Sequence, residues 1–465
     1  MWQVPQFDAA LLSKYDRSGP RYTSYPTAPQ FSPAFGELQF REALQRSNAM
    51  PAKALSIYVH VPYCRSPCFY CGCNRIITRD HSRSGPYLAR LAREIEAVGE
   101  IMDGRRQVLQ MHFGGGTPNF LSAGELRQVV DHLRGAFTFA DPAAADVSIE
   151  LDPRWIADGD IAALADAGFN RASFGVQDLD PRVQRAVNRI QSEEQTLRAI
   201  ADCRANGFRS VNVDLIYGLP EQTEQGFART LDVLIAARPD RLAVYGYAHL
   251  PQLFKGQRQI DAQLLPSPGT KLQLLGLAIS RLTAAGYRYV GMDPFALPQD
   301  ELAKACEDGT LTRNFMGYST HGDTDLIGFG VSAISQIADC ISQNARDLPE
   351  WESMLEAGHL PVKRGIRLDR DDLIRADAIR SLMCHGRIDT AALEQRHGVN
   401  FPEYFQSSLT ELAPLVADGL VQVSDESVSV TSRGRLLLRI VAACFDRYLA
   451  RDAEKGAPVR YSKVV

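Results

Sequence analysis

From residue 54 onward two apolar patterns alternate along the chain. Short runs rich in β-branched and aromatic residues cover 55–61, 108–113, 147–151, 171–176, 210–216 and 242–247, most ending near Gly, Pro or Asp. Amphipathic stretches with a helical period lie between them, over 86–101, 123–136, 158–167, 193–205 and 223–237. Runs of the first kind read as strands and the second as helices. Six strands alternating with helices predict βα units on a parallel sheet with right-handed crossovers. No G-x-G-x-x-G follows the first strand, so an α/β partial (β/α)6 barrel is expected rather than a dinucleotide-binding fold.

The flanks differ. Residues 1–50 hold Gly19-Pro20-Arg21-Tyr22-Thr23-Ser24-Tyr25-Pro26-Thr27, where bracketing prolines exclude a long helix and clustered aromatics suggest a docked arm. After the six units, 287–291 reads as a further strand and the Gly- and Asp-rich 317–330 as a loop. Beyond Pro349 helices dominate, over 371–384, 390–397 and 401–418, followed by a hairpin at 420–431 and a last helix to about 450. The expected division is an arm (1–50), a catalytic barrel (51–345) and a mainly helical, winged-helix-like domain (346–465).

Composition narrows the classes. The chain has 465 residues, 45% hydrophobic and 23% charged, with a net charge of −4. That is the balance of a folded globular protein, and too acidic for one that coats nucleic acid. Between Arg367 and Arg451 eleven Arg face twelve Asp plus Glu, so the winged-helix-like part is expected to be a lid rather than a DNA reader. No apolar run approaches the ~18 residues of a membrane span, and residues 1–20 lack a secretory leader pattern. A cytoplasmic monomer with no nucleic-acid partner is expected.

The nine cysteines carry the chemistry. Cys64, Cys68, Cys71 and Cys73 fall within ten residues directly after the first strand, and the other five are scattered. A secreted disulfide framework would spread its cysteines, so a reducing compartment is expected. C-x3-C-x2-C supplies three thiolates on one tight loop, enough for three irons of a [4Fe–4S] cube with the fourth left open, unlike four-cysteine electron-transfer sites. A structural zinc site using all four cysteines is the alternative, weakened by the missing second, distant pair.

This loop resembles that of the radical S-adenosylmethionine (SAM) superfamily. Within it, the chain resembles the oxygen-independent coproporphyrinogen III oxidase family nearly end to end. The likeness rests on Arg21–Thr27, Cys-Gly-Cys at 71–73, Gly114-Gly115-Gly116-Thr117-Pro118, Glu150-Leu151-Asp152-Pro153, Gly175-Val176-Gln177-Asp178, Asp214 to Pro220, Tyr247 to Pro251 and Gly322-Asp323-Thr324-Asp325. The resemblance implies Cys64, Cys68 and Cys71 as cluster ligands. It implies SAM contacts at Tyr58, Tyr70, Gly115, Gly116, Thr117, Glu150, Gln177, Arg189, Asp214, Ala248 and Ile334. Cys73, Glu150 and Phe315 are the implied catalytic residues, and Arg21 is a propionate partner. His60 reads as support for the cluster loop or as simple packing.

The activity implied is reductive cleavage of SAM to methionine and a 5′-deoxyadenosyl radical, which takes hydrogen from a propionate. Loss of CO2 and one electron then leaves a vinyl group, on two rings of coproporphyrinogen III, in anaerobic haem biosynthesis. An electron donor such as flavodoxin or ferredoxin is the implied partner. Met316 and Pro294 stand where the family commonly has glutamine and histidine. These departures leave a haem- or tetrapyrrole-binding carrier, or action on a different tetrapyrrole, as the alternative.

Overall fold

The six expected strands and their helices form, within a residue or two of the sequence boundaries. The computed structural model describes residues 4–50, 53–322, 324–454 and 461–463, so Asp323 of the Gly322–Asp325 motif lies outside the described residues. The strands are β1 (Ala54–Val61), β2 (Gln107–Gly115), β3 (Asp146–Leu151), β4 (Arg171–Gln177), β5 (Ser210–Tyr217) and β6 (Arg241–Gly246), each parallel to the next. The helices begin with strong signals. Ser122 and Glu125 make a capping box at Ala123–Ala136, and Ser192 with Gln195 does the same for Glu193–Ala205.

Beyond β6 the edge turns antiparallel through β7 (Arg288–Tyr289) and β8 (Pro294–Ala296). On the other side, β9 (Thr324–Phe329) lies parallel to β1 as a seventh parallel strand. This corrects the reading of 317–330 as a loop. Its glycines serve close approach instead: a Cβ on Gly328 would come within 2.5 Å of the Ile334 carbonyl oxygen. Antiparallel strands β10 (Ile334–Ile337), β11 (Cys340–Asn344) and β12 (Val362–Arg367) extend the sheet. The sheet therefore runs past residue 346, and its last strand falls inside the range expected to be helical.

The strands sort their residues by parity. Met111, Phe113, Ile149, Phe174, Val213 and Leu242 point outward into one apolar core shared with the helices. His112, Ser148, Glu150, Ser173, Asn212 and Asp214 point inward and line a cavity of about 340 Å³. At the strand starts this interior is closed by ion pairs. Arg171 meets Asp146 at 2.7 Å and also engages Glu301, Arg241 meets Asp300 at 2.8 Å, and His321 meets Asp146 at 3.0 Å. The strand ends are left for the site.

The arm packs across this open side. Tyr22 and Tyr25 are buried, Tyr22 donates to Asp446 at 3.0 Å, and Arg21 pairs with Asp293. A helix that the sequence reading lacked, Glu37–Ala49, follows. The C-terminal part holds Arg370–His385, Thr390–His397 and Gln406–Ala417, then strands Val421–Val423 and Ser427–Val430. Arg387–Asp389 adds a third strand, which completes a winged-helix-like sheet. Arg439 fastens it to the arm by donating to the Pro20 carbonyl at 3.0 Å. Among the described residues no helix is long and apolar enough to cross a membrane.

Candidate active site

The cysteine loop leaves β1 through a short neck in which Tyr63–Cys64 pairs with Ile76–Ile77. It is then held from several sides. Phe69 N–H donates to the Val187 carbonyl at 3.0 Å, and Asn188 donates to the Pro67 carbonyl at 2.7 Å. Arg75 donates to the carbonyls of Cys71 and Cys68 at 2.9 and 3.0 Å. Gln257 donates to the carbonyls of Tyr70 and Ala248 at 3.0 and 3.2 Å. The Phe254 ring lies so close to Gly72 that a Cβ there would be 2.9 Å from it.

Cys64, Cys68, Cys71 and Cys73 share a cavity of about 230 Å³ with Gly115, Thr117, Gln177, Arg189 and Asp214. Their sulfurs sit among donors. Thr117 Oγ1 is 3.2 Å from Cys64 Sγ, and Arg189 and Arg154 donate to Cys68 Sγ at 3.5 and 3.7 Å. Cys73 N–H donates to Cys71 Sγ at 3.4 Å. Donation from Cys73, then the nearby Arg75 and Arg189 cations, pull the Cys71 thiol down to about 6, whereas burial pushes Cys64 up to about 12. Thiolates are the metal-binding form, so cations here favour ligation.

Asp152 organises those cations. It pairs with Arg154 at 2.6 Å and with Arg189 at 3.3 Å, and all three are nearly buried. Burial opposes its charge, but the two guanidinium groups outweigh burial and hold its carboxyl below the usual range. Arg189 Nε is itself buried without a partner. On the facing side Gly115 adopts φ +112°, and a Cβ on Gly116 would lie 2.7 Å from the Pro62 carbonyl. Three thiols around one cavity, a glycine turn open to close approach and an unsatisfied guanidinium nitrogen fit an iron–sulfur cluster beside an anionic ligand.

Glu150 stands where three cavities meet, facing the thiols, the barrel interior and a pocket of about 310 Å³ with Tyr58, Cys73, Phe315, Met316 and Ile334. His112 links to it at 3.4 Å, bonds Ser148 at 2.7 Å, and stacks on Tyr58 with centroids 6.0 Å apart. His60 bridges Tyr58 at 3.1 Å and the Asn74 carbonyl at 3.0 Å, bracing the end of the cysteine loop. Burial pushes the Asp214 carboxyl up to about 7, partly offset by Asn212 donating at 2.8 Å. Gln177 holds a left-handed φ of +71° at the end of β4.

Arg21 reaches the barrel cavity from the arm, over the Tyr245 ring at 5.5 Å and beside Asp293. Pro294 and Met316 line the same cavity. Ala248 is not among the residues that line the thiol cavity. It lines a separate cavity of about 400 Å³ with Arg21, Lys271 and Arg439. The sequence reading lacked Asp152 and Arg154 as a cation clamp, and His112, Tyr245 and Arg313 as lining. Strict alternation along β2 to β6 was the available signal. Arg313 Nε is buried without a partner in that cavity.

The fold and the site together define a radical SAM protein, and the comparisons agree. A family model described as the radical SAM superfamily matches residues 58–234, and one described as the HemN C-terminal domain matches 368–437. The chain belongs to the oxygen-independent coproporphyrinogen III oxidase family. It is 49% identical to the oxygen-independent coproporphyrinogen III oxidase of Pseudomonas aeruginosa, covering 97% of each chain. It is 47% identical to that of Escherichia coli, covering 100% of this chain and 99% of the other. A solved structure titled "Coproporphyrinogen III oxidase (HemN) from Escherichia coli is a Radical SAM enzyme" superposes with TM-score 0.91 at 46% identity, covering 96% of this chain and all of that one. The cofactors that go with this family are a [4Fe–4S] cluster and SAM, and the carrier alternative is not favoured.

Proposed function

We propose that the protein converts coproporphyrinogen III to protoporphyrinogen IX by oxidative decarboxylation of two propionates. The observation that carries this reading is Glu150 at the junction of the thiol cavity and a barrel interior faced by Arg21 and Arg313. When bound, cluster and SAM would supply a 5′-deoxyadenosyl radical able to take one hydrogen atom from the propionate carbon next to the ring. The substrate radical then releases CO2 and passes one electron to an external acceptor, which leaves a vinyl group.

The chain's own residues bind, orient and shield. Cys64, Cys68 and Cys71 hold the cluster. Arg189, steadied by Asp152, suits the SAM carboxylate, while the turn at Gly115–Thr117 lets the methionine moiety come close. Glu150 and Asp214 offer acceptors for ammonium and ribose groups, and Gln177, Tyr58, Tyr70 and Ile334 complete the walls. Cys73 and Phe315 border the passage to substrate. Arg21 would exchange Asp293 for a substrate carboxylate, and Arg313 offers a second cation. The arm and the C-terminal part exclude water and oxygen. We place the protein in the haem-forming reaction sequence of the cytoplasm, acting as a monomer with a small electron carrier.

Anaerobic protein given reductant, SAM and coproporphyrinogen III is expected to release CO2 and 5′-deoxyadenosine together with a divinyl product. 5′-Deoxyadenosine without any vinyl product would overturn the substrate assignment.

A further inference from the structure

Electron transfer weakens steeply with distance, so a reductant must touch the protein where the cysteine loop comes nearest the surface. Three segments build that surface. Residues 63–79 are the loop and its neck, where Thr78 N–H bonds the Cys64 carbonyl at 2.9 Å. Residues 181–190 clasp it through Val187 and Asn188, and 251–260 through Phe254 and Gln257. These segments contain Arg65, Arg75, Arg79, Arg182, Arg185, Arg189, Lys255 and Arg258, and not one Asp or Glu. Arg189 is buried at the thiols and Arg75 is turned inward onto the loop carbonyls with its Nε buried, which leaves six cations on the rim, Arg65 half-buried among them.

The whole chain is acidic, with 51 Lys plus Arg against 55 Asp plus Glu. An acid-free rim is therefore a local departure rather than a general property. Along the chain the flanking acids are Asp80, Asp180, Glu193 and Asp261, and from another segment Glu221 lies within electrostatic reach of Arg182. Of these, Asp180 engages Arg182 at 3.3 Å. Two large apolar side chains sit on the same rim, Ile190 at 60% and Leu253 at 57% exposure, with Ile77 on the neck at 44%. Arginines around a few exposed apolar residues are the composition of a protein-binding patch. Like-signed charges confer fast, salt-sensitive encounter with a partner of opposite sign.

We propose that this rim is the docking surface for a small acidic one-electron carrier protein that reduces the cluster from outside. The inference rests on the radical SAM reading of the thiol loop. The charge selects an acidic partner. The apolar residues supply contact, and the small patch suits the transient interfaces of redox encounters. The barrel cavity is bordered instead by Arg21 and Thr23 of the arm.

The test compares two reductants for SAM cleavage by the reconstituted full chain: dithionite, which needs no docking, and reduced flavodoxin, an acidic carrier. In the Arg185→Glu/Lys255→Glu/Arg258→Glu variant, all three positions being exposed, dithionite-driven 5′-deoxyadenosine formation should stay within about twofold of the parent. Flavodoxin-driven kcat/KM should fall by about tenfold or more. In the parent, that value should also fall as salt rises from low to physiological strength. An unchanged flavodoxin-driven rate in the variant, or a flat salt profile in the parent, would overturn the proposal. Absence of dithionite-driven SAM cleavage in the parent would instead count against the radical SAM reading itself.

Discussion

The two faces of the same strands follow opposite rules. Outward residues such as Phe174, Val213 and Ile149 are apolar, fully buried and packed against helices. Inward residues such as Ser173, Asn212, Asp214 and Glu150 are polar and border cavities. Burial of the outer face drives folding. The inner face offers hydrogen bonds and charges to a ligand and contributes little apolar burial. The contrast makes a sharp claim: function and stability should separate by strand parity.

The largest expected effect tests the inner side. Cys68→Ala should abolish the cluster's visible absorption and SAM cleavage. It should shift the apoprotein's unfolding free energy by no more than about 1 kcal/mol, since the loop lies outside the outer core. Phe174→Ala should do the reverse. Phe174 has no exposed surface and packs in the outer core, so truncation should cost about 3–5 kcal/mol in denaturant unfolding. Cluster content per folded molecule should be unchanged. A Cys68→Ala protein that unfolds as readily as Phe174→Ala would break the division.

Much of the outer face was legible because apolar period-2 runs and capped helices announce themselves locally. The thiol loop was legible because its spacing is short. Three things were hidden. The strand β9 is flanked by Gly and Asp that resemble a loop, and its identity depends on pairing with β1, 270 residues away in register. The inner lining was hidden because a polar residue on a strand usually faces water. Nothing local in Ser173 or Asn212 reveals that this face closes around a cavity. The third was pairing at long range: Arg21 meets Asp293, and Arg189 joins the local Asp152–Arg154 pair at Cys68.

Glu94 sharpens the comparison as an exception, a carboxyl on the apolar side. It sits on the helix Ser84–Gly99, 2% exposed, and accepts from Gly330 N–H at 2.9 Å and Asn344 at 2.6 Å. Burial raises its pKa from 4.5 to about 7. A carboxyl raised on folding leaves its stability contribution intact at low pH. That contribution is lost as pH rises from the unfolded value through the folded one, here between about 4.5 and 7. Across that window the parent should lose roughly 3 kcal/mol relative to Glu94→Gln. Denaturant midpoints of both proteins at pH 4.5 and 7.5 measure this. A constant gap would mean that Glu94 ionises in the fold at the same pH as in the unfolded chain.

The smallest effect is the most exacting test of separation, because it lies just outside the thiol cavity in sequence. Ser192 caps Glu193–Ala205 by accepting from Gln195 N–H at 3.1 Å. Ser192→Ala should cost about 1 kcal/mol of stability. Only two residues separate it from Arg189, so fraying of the helix start has a short route to Cys68. A clamp lies between them. Gln184 donates to the Gln191 carbonyl at 2.8 Å and accepts from Gln191 N–H at 3.1 Å, and its own carbonyl accepts from Arg189 N–H at 2.8 Å. These bonds fix Arg189 from the preceding turn, not from the helix that follows. The cluster's absorption spectrum and the KM for SAM should therefore match the parent in Ser192→Ala. A raised KM would show that the outer helix, and not the clamp, sets the guanidinium at the thiols.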